Sequence, residues 1–429
     1  MEVTMTMQPW FPDAKLGIFI HYGIYAVDGV PESWSLFSGQ VSHEDYMRQL
    51  DGFTAAAYDP DAWADLFARA GARYAVLTSK HHDGVALWDA PHSAYDVVKS
   101  TPAGRDLLGP FAAALREQGL KVGFYFSHID WNHPDYPTVG NDDDPDGRSR
   151  GWNAYAHAPR GQEDPARWER FREQYHAQVY DLIDRYRPDL LWFDGEWERS
   201  DAQWGAKELG DGILRMNPAT VINGRLRTHA DYATPEQALP FAAPDGPWEL
   251  CLTINDSWGF QHRDTNWKSA RQIVRYFAET IGMGGNLLLD VGPRADGSIP
   301  AEAVERVEAL GAWIEKHAEA VYGTGAGLPA GHHYGPSTIS ADRRTIYLIC
   351  VDDPRGHLAV RGLKNVVRRV RVVGGSGTEL AFRKSDAPDD VPDHMWIEAP
   401  TAADLDVSAT VIAIELDGEL DLYTGAGRD

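Results

Sequence analysis

The stretch Leu-Leu-Trp-Phe-Asp-Gly at residues 190–195 places four apolar side chains before a carboxylate and a glycine. A short apolar run of this kind is typical of a strand that is buried on both faces, as in the parallel sheets of α/β proteins. In barrel enzymes, the residue at the carboxyl end of such a strand lies where catalysis takes place. We therefore expect Asp194 to be a reactive carboxylate at the mouth of a barrel.

Residues 1–322 alternate short apolar runs with amphipathic stretches, as βα units do. The predicted strands are Leu16–His21, Tyr74–Thr78, Val122–Ser127, Leu190–Asp194, Thr220–Asn223, Glu249–Ile254 and Asn286–Val291. The predicted helices are Asp61–Ala70, Leu107–Gln118, Trp168–Arg185, Trp267–Ile281 and Ala301–His317. No glycine-rich phosphate-binding motif follows the first strand, which argues against a dinucleotide-binding fold. The pattern favours a (β/α)8-type, TIM-like barrel over residues 1–322.

The pattern changes after Val321. Residues 323–327 form a glycine-rich connector, and the helical period is lost beyond it. Short alternating segments separated by turn residues follow, at Thr345–Val351, Val366–Val373, Leu380–Arg383 and Thr410–Leu416. This pattern predicts a C-terminal β-sandwich domain over residues 323–429.

Composition excludes several classes of partner. The net charge of −24 argues against nucleic acid, and no apolar stretch approaches the ~20 residues of a membrane span. The start of the chain shows no secretory signal, and Cys251 and Cys350 are predicted to be buried free thiols, so we expect a cytoplasmic protein. The sequence does not indicate an oligomeric state. The 15 tryptophans fit a sugar-binding protein, since flat rings cover the apolar faces of pyranoses.

Histidines follow three successive predicted strands, at His21, at His81 and His82, and at His128. Because the carboxyl ends of parallel strands meet at one rim, we expect a shared polar pocket there. Adjacent residues on an extended backbone point to opposite sides, so His81 and His82 do not match the ligand spacing of metal-dependent barrel hydrolases. No zinc-binding spacing occurs either. We therefore expect no metal and no cofactor in catalysis.

Residues 134–165 are rich in Asp, Gly and Pro and predict a long loop after the third strand. Within it, Asp142, Asp144, Asp146 and Gly147 match the first half of a calcium-binding loop. Pro145 interrupts that motif, and Asn153 stands where a glutamate is needed. A solvated acidic loop is the favoured interpretation, with a weak calcium site as the alternative.

A metal-free glycosidase needs two carboxylates, of which Asp194 is the first. The candidates for the second are Glu196, Glu198, Glu236 and Glu249. Glu236 lies in a Thr-Pro-Glu loop after the fifth strand, where an acid could reach a glycosidic oxygen. Arg225 follows the same strand, and a cation beside a carboxylate keeps a nucleophile ionised.

Together these motifs resemble glycoside hydrolase family 29, the retaining α-L-fucosidases, from Trp10 to about Ile299. The matching segments are Ile-His-Tyr-Gly at 20–23, Lys-His-His-Asp-Gly at 80–84, Trp-Phe-Asp-Gly at 192–195, Trp-Glu at 248–249 and Gly-Gly-Asn-Leu-Leu-Leu at 284–289. The resemblance implies removal of terminal α-L-fucose from small fucosides or fuco-oligosaccharides, with Asp194 as the nucleophile and Glu236 as the acid/base. It also implies that the sugar is bound by His21, His81, His82, Tyr125, Arg225 and Trp258.

One departure from the family concerns Glu32-Ser33-Trp34-Ser35. Many members place Glu directly before Trp at this point, so Glu32 is one residue out of step. Trp34 and Ser35 could take over its sugar contacts. The departure leaves room for a glycosidase of the same mechanism acting on a related deoxysugar. A catalytically silent fucose-binding protein on the same scaffold is the second alternative.

Overall fold

A computed structural model describes residues 7–136, 164–375, 377–385, 392–423 and 425. The predicted calcium loop at 142–147 and most of the predicted loop at 134–165 lie outside these ranges.

Seven parallel strands form a curled sheet at the centre of the first 322 residues. They are β1 (Leu16–Ile20), β2 (Tyr74–Lys80), β3 (Lys121–Ser127), β4 (Leu190–Asp194), β5 (Val221–Ile222), β6 (Glu249–Thr253) and β7 (Asn286–Val291). Their order in the sheet is β5-β4-β3-β2-β1-β7-β6. Apart from Lys121, every residue in these strands is buried, because helices cover one face and the barrel interior fills the other. All seven predicted strands and the TIM-like class are confirmed.

The barrel closes between β5 and β6 through an irregular stretch, residues 231–237, which we call the closing segment. The Asp231 amide donates to the Ile222 carbonyl at 2.9 Å, and the Gln237 amide donates to the Cys251 carbonyl at 2.9 Å. Pro235 within the segment has no amide hydrogen, which prevents a regular ladder. The closing segment therefore occupies the place of an eighth strand through isolated bridges to both neighbours.

In the described part of the chain, six helices of ten or more residues surround the sheet: α1 (Pro60–Arg69), α2 (Leu108–Glu117), α3 (Pro165–Tyr186), α4 (Ala206–Met216), α5 (Ala270–Gly282) and α6 (Ala301–Lys316). Five were predicted and α4 was not. Shorter helical turns lie at Ile24–Ala26, Trp34–Phe37, His43–Arg48, Gln49–Gly52, Val97–Ser100, Glu196–Glu198, Asp201–Trp204, Gly224–Leu226 and Ala318–Val321, and two-residue strands at Val85–Ala86 and Tyr95–Asp96. None of the helices in the described ranges has the length and apolar character needed to cross a membrane.

The C-terminal part consists of two antiparallel sheets. Its strands are β8 (Thr324–Ala326), β9 (Ser337–Ser340), β10 (Thr345–Cys350), β11 (Leu358–Arg361), β12 (Val367–Val372), β13 (Phe382–Lys384), β14 (His394–Ile397) and β15 (Thr410–Leu416). One sheet has the order β8-β9-β10-β15-β12 and the other β11-β14-β13. The predicted sandwich is confirmed, but the predicted connector at residues 323–327 was incomplete, because Thr324–Ala326 pairs with β9 as an edge strand.

Strand alternation divides the C-terminal core in two. In β10, Ile346 and Leu348 pack between the two sheets, whereas Tyr347 and Ile349 belong to the cluster that continues into the barrel. The larger sheet is thus covered on both faces, and the Trp313 indole of α6 donates to the Ala409 carbonyl at 2.8 Å across this junction. Cys251 and Cys350 are buried and free, as predicted.

Candidate active site

Asp194 ends β4, and its two carboxylate oxygens have different partners. Arg225 Nη1 donates to Oδ1 at 2.6 Å, and the Tyr125 hydroxyl donates to Oδ2 at 2.9 Å. The next residue, Gly195, has a φ of +87°, and a Cβ there would lie 2.8 Å from Ile129. This glycine lets the chain turn sharply, so that the carboxylate stays at the end of the strand. Asp194 is held as a fixed, oriented carboxylate.

Arg225 joins Asp194 to the second predicted carboxylate. Its Nη2 donates to Glu236 Oε2 at 2.6 Å, so one guanidinium contacts both acids through adjacent nitrogens. The guanidinium also lies over the Trp192 ring, 4.5 Å from the ring centroid. Glu236 belongs to the closing segment, and its side chain is 40% exposed, against 12% for Asp194. Arg225 therefore binds one buried carboxylate, Asp194, and one more accessible carboxylate, Glu236.

The other three acids considered as partners of Asp194 have different positions. Glu249 is fully buried inside the barrel, where it accepts hydrogen bonds from the Tyr74 hydroxyl and, at 2.9 Å, from the Trp192 indole. Glu198 accepts from the Trp131 indole and the Tyr136 hydroxyl. Glu196 lines a neighbouring cavity together with Arg225 rather than the cavity above Asp194. Of the four candidate acids, Glu236 alone lines the same cavity as Asp194.

That cavity has a volume of about 110 Å³ at the carboxyl ends of the strands. Its lining contains eight of the nine predicted site residues, His82 being the exception, together with Phe19, Trp192 and Trp197; the eight are His21, Trp34, His81, Tyr125, Asp194, Arg225, Glu236 and Trp258. The structure therefore brings the predicted residues together, while the role of each stays a prediction.

His81 and His82 do not point to opposite sides as expected. Strand β2 ends at Lys80 after a register shift, so both histidines lie beyond the end of the strand, and their ring centroids are 4.3 Å apart. His81 lines the cavity, with Nδ1 2.6 Å from the Ser33 hydroxyl. His82 Nε2 lies 3.6 Å from Asp194 Oδ2, directly beside the cavity wall. Both rings thus lie close to the same cavity.

The hydrogen bonds of His82 fix its tautomer. Ser127 donates its hydroxyl to the Ile129 carbonyl, so its oxygen accepts from His82 Nδ1 at 2.6 Å. Burial, reinforced by the nearby charges of Lys80 and other cations, lowers the pKa of His82 to about 3. His82 is therefore neutral, and its Nε2 presents a lone pair that can accept a hydrogen bond from a hydroxyl group.

The pKa of His21 is shifted in the opposite direction to that of His82. Burial alone would lower the pKa of His21, but the neighbouring carboxylates, first among them Asp290, outweigh burial and raise it. Asp290, a buried acid in β7, contacts His21 Nδ1 at 2.6 Å and leaves Nε2 for a ligand. Glu32 is not among the residues that line the cavity, and its Oε1 accepts a hydrogen bond from the Gly259 amide at 2.6 Å, next to Trp258.

Within the described ranges, no group of three or more His, Cys, Asp or Glu side chains is arranged to hold a metal ion. The chemistry available to the described residues is that of two carboxylates, a guanidinium, a phenol and neutral or charged imidazoles.

A family model described as α-L-fucosidase matches residues 2–319. The chain belongs to the α-L-fucosidase family. A tissue α-L-fucosidase from Bos taurus is 32% identical over 347 residues, which cover 73% of this chain and 68% of that protein. The structure of α-L-fucosidase isoenzyme 1 from Paenibacillus thiaminolyticus has a TM-score of 0.83 at 34% identity and covers 95% of this chain and 98% of its own. A Thermotoga maritima α-fucosidase in complex with fucose has a TM-score of 0.78 at 29% identity, covering 96% and 97%.

Four residues of this fucosidase-family site were not among the predicted site residues: Phe19 and Trp192, which lie in predicted strands, and Trp197 and Asp290. Trp197 lines the cavity but stands in a short helical turn after Asp194, with no periodic pattern to mark it. Asp290 is a charged residue inside the apolar strand β7, and a charge in a buried strand was a usable signal.

Proposed function

We propose that this protein is a retaining α-L-fucosidase that removes terminal α-L-fucose from small fucosides by double displacement. The contact of Arg225 with both Asp194 and Glu236, each at 2.6 Å, carries the proposal, because it pairs a fixed nucleophile with an accessible acid. Membership of the α-L-fucosidase family and the fucose complex of the Thermotoga maritima relative support the choice of sugar.

In the first step, an oxygen of Asp194 attacks the anomeric carbon while the bond to the leaving oxygen breaks. Glu236 gives its proton to that oxygen, so the leaving group departs as a neutral alcohol and a fucosyl ester of Asp194 remains. The bond from Arg225 occupies Oε2 of Glu236, so Oε1 can carry the proton that is transferred.

In the second step, ionised Glu236 accepts a proton from water, and the water oxygen attacks the anomeric carbon. The ester bond to Asp194 breaks, which restores its carboxylate and releases fucose with its original anomeric configuration. Tyr125 and Arg225 stabilise the returning charge, since each donates to one oxygen of Asp194.

The decisive experiment compares the wild type with Asp194→Gly on an aryl α-L-fucoside, within a panel of other aryl glycosides. We expect the wild type to prefer the fucoside and to release the retained anomer first by NMR, and the variant to lose turnover. Wild-type-like turnover by Asp194→Gly would contradict the assignment. Binding of fucose without any product would instead indicate the silent binding protein.

Asp189 offers a matched control on the same segment. It precedes β4 at the opposite end of the barrel, where its carboxylate accepts from Lys121 at 3.0 Å. Ends of this kind contribute stability rather than chemistry in barrels. Asp189→Asn should therefore retain turnover, which separates loss of the nucleophile from general damage to the strand.

We also propose that the protein is located in the cytoplasm. The two buried free thiols support a reducing compartment, and fractionation of the native host would test the location directly.

A further inference from the structure

Gln237, the residue directly after Glu236, has a strained backbone. Its φ is +60°, a value that few residues other than glycine adopt. The Ala238 amide donates to the Glu236 carbonyl at 2.8 Å, which closes a γ-turn with Gln237 at its centre. A positive φ at the central residue gives the rare and strained form of this turn. Strain of this kind persists only where the surrounding structure holds it, and it is concentrated at functional sites.

Strand β6 holds Gln237 through both its backbone and its side chain. The Gln237 amide donates to the Cys251 carbonyl at 2.9 Å, and Gln237 Oε1 accepts from the Thr253 amide at 3.3 Å. The Thr253 hydroxyl lies 3.1 Å from the same oxygen. Thr253 is buried at the end of β6, so the side chain of Gln237 is tied to the rigid part of the barrel.

Glu236 depends on its neighbours for its orientation. Its side chain is 40% exposed, and among the residues that the structure describes its carboxylate accepts one hydrogen bond, from Arg225 at 2.6 Å. Before it, the Pro235 carbonyl accepts from the Cys251 amide at 3.1 Å, and after it comes the anchored Gln237. These two attachments set the direction in which the Glu236 side chain leaves the backbone. A reacting group that is displaced by about 1 Å can lose ~10²-fold in rate.

We propose that Gln237 is a positioning residue for Glu236, and that the attachment of its side chain to Thr253 holds the strained turn that directs the acid/base at the leaving oxygen. The inference rests on the proposed function and extends it to a residue that orients one of the two carboxylates. Gln237 is not among the residues that line the cavity, so it acts through Glu236 and not on the sugar. Glycine would adopt the positive φ without strain, but it has no side chain to reach Thr253.

The test compares kcat/KM on methyl α-L-fucoside, whose leaving oxygen needs a proton, with kcat/KM on α-L-fucosyl fluoride, whose leaving group needs little protonation. For Gln237→Ala, we expect the value on the methyl fucoside to fall about tenfold and the value on the fluoride to change by less than about twofold. Gln237→Glu keeps an acceptor oxygen at the same reach and should recover most of the loss. Gln237→Gly removes the anchor together with the strain, so it should unfold at a higher denaturant concentration than Gln237→Ala while its value on the methyl fucoside stays low.

Arg343→Ala is the matched control, because Arg343 has a φ of +57° at an exposed position of the C-terminal sandwich, and it should change neither value. Equal losses on the two substrates, no loss on either, no recovery by Gln237→Glu, or full activity of Gln237→Gly would overturn the positioning role and leave the proposed function intact. Glu236→Gln in the same assay tests the function itself. If the wild type releases no fluoride, or if Glu236→Gln shows no dependence on the leaving group, the assignment of Glu236 fails and the role of Gln237 fails with it.

Discussion

Glu236 and Glu249 show how the surroundings of a carboxyl group decide what it can do. Glu236 is partly exposed in the cavity beside Arg225, whereas Glu249 is enclosed by Tyr74 and Trp192 inside the barrel. Only an acid that reaches the leaving oxygen can act on it. Glu249 therefore cannot replace Glu236 as the proton donor, because it does not line the cavity in which the leaving oxygen would lie.

This contrast gives a test of the acid/base assignment. Glu236→Gln should lower kcat on a fucoside with a poor leaving group by about 10²- to 10⁴-fold, with a much smaller loss on fucosyl fluoride, which needs little protonation. Glu249→Gln and Glu196→Gln are the matched controls and should show no such dependence on the leaving group. A leaving-group effect that appears in a control and not in Glu236→Gln would move the assignment to that residue.

Individual site residues differed in how far they could be predicted from sequence. Asp194 could be identified because an apolar run ends on it, and the histidines because they repeat at strand ends. The placement of His81 and His82 could not, since it depends on a register shift at the end of β2. The exposure of Trp197 could not either, because it results from the left-handed turn at Gly195.

Among the structural elements, the turn that follows β4 combines a tight packing requirement with a left-handed backbone conformation. A Cβ on Gly195 would lie 2.8 Å from Ile129, and its φ of +87° is one that other residues rarely adopt. Gly119 has a φ of +73° but nothing within 4 Å of a Cβ. The two glycines therefore separate the cost of the backbone conformation from the cost of the contact.

Gly119→Ala should lower the free energy of unfolding by about 1 kcal/mol, from backbone conformation alone. Gly195→Ala should lower it by about 2–4 kcal/mol, since the clash adds to that cost, and should also reduce kcat because Asp194 is displaced. Denaturant unfolding and assays on an aryl fucoside measure both effects. Equal destabilisation by the two variants, with kcat unchanged, would contradict this account.

The strands also differed in how far they could be predicted from the sequence. Fully buried runs such as Leu190–Asp194 could be predicted, because burial on two faces demands continuous apolar sequence. The edge strand Thr324–Ala326 could not be predicted, because it lies in a glycine-rich stretch without an apolar pattern. An edge strand needs backbone pairing on one side only, so such a sequence can form one. The closing segment carries a proline and has no strand pattern, so its place in the barrel emerged only from the structure.

At the scale of the whole molecule, the barrel interior encloses an ionisable group that affects stability. Burial raises the pKa of Glu249 from 4.5 to about 7. The folded protein thus binds this proton more tightly than the unfolded chain, so its contribution to stability is present below pH 4.5 and is lost as the pH rises to about 7.

Glu249→Gln replaces the acid with a neutral group of the same shape and should remove this pH dependence. We expect the variant to be destabilised relative to the wild type at pH 5 and this deficit to shrink by up to about 3 kcal/mol at pH 8. Glu398→Gln, at an exposed position, is the control. Denaturant unfolding at the two pH values measures the difference, and a deficit that is constant or grows with pH would show that folding does not raise the pKa of Glu249.

The closing segment has a consequence for how this barrel can evolve. Asp194 sits in a continuous ladder, where inserting or deleting one residue would reverse every side chain along the strand. Glu236 sits on a stretch tied to its neighbours by isolated bridges, with the loop 238–247 directly after it. Changes in length there leave the rest of the barrel in register. Natural divergence and laboratory selection can therefore relocate the proton donor while the nucleophile stays in place, which makes residues 231–247 the region to randomise when new leaving groups are sought.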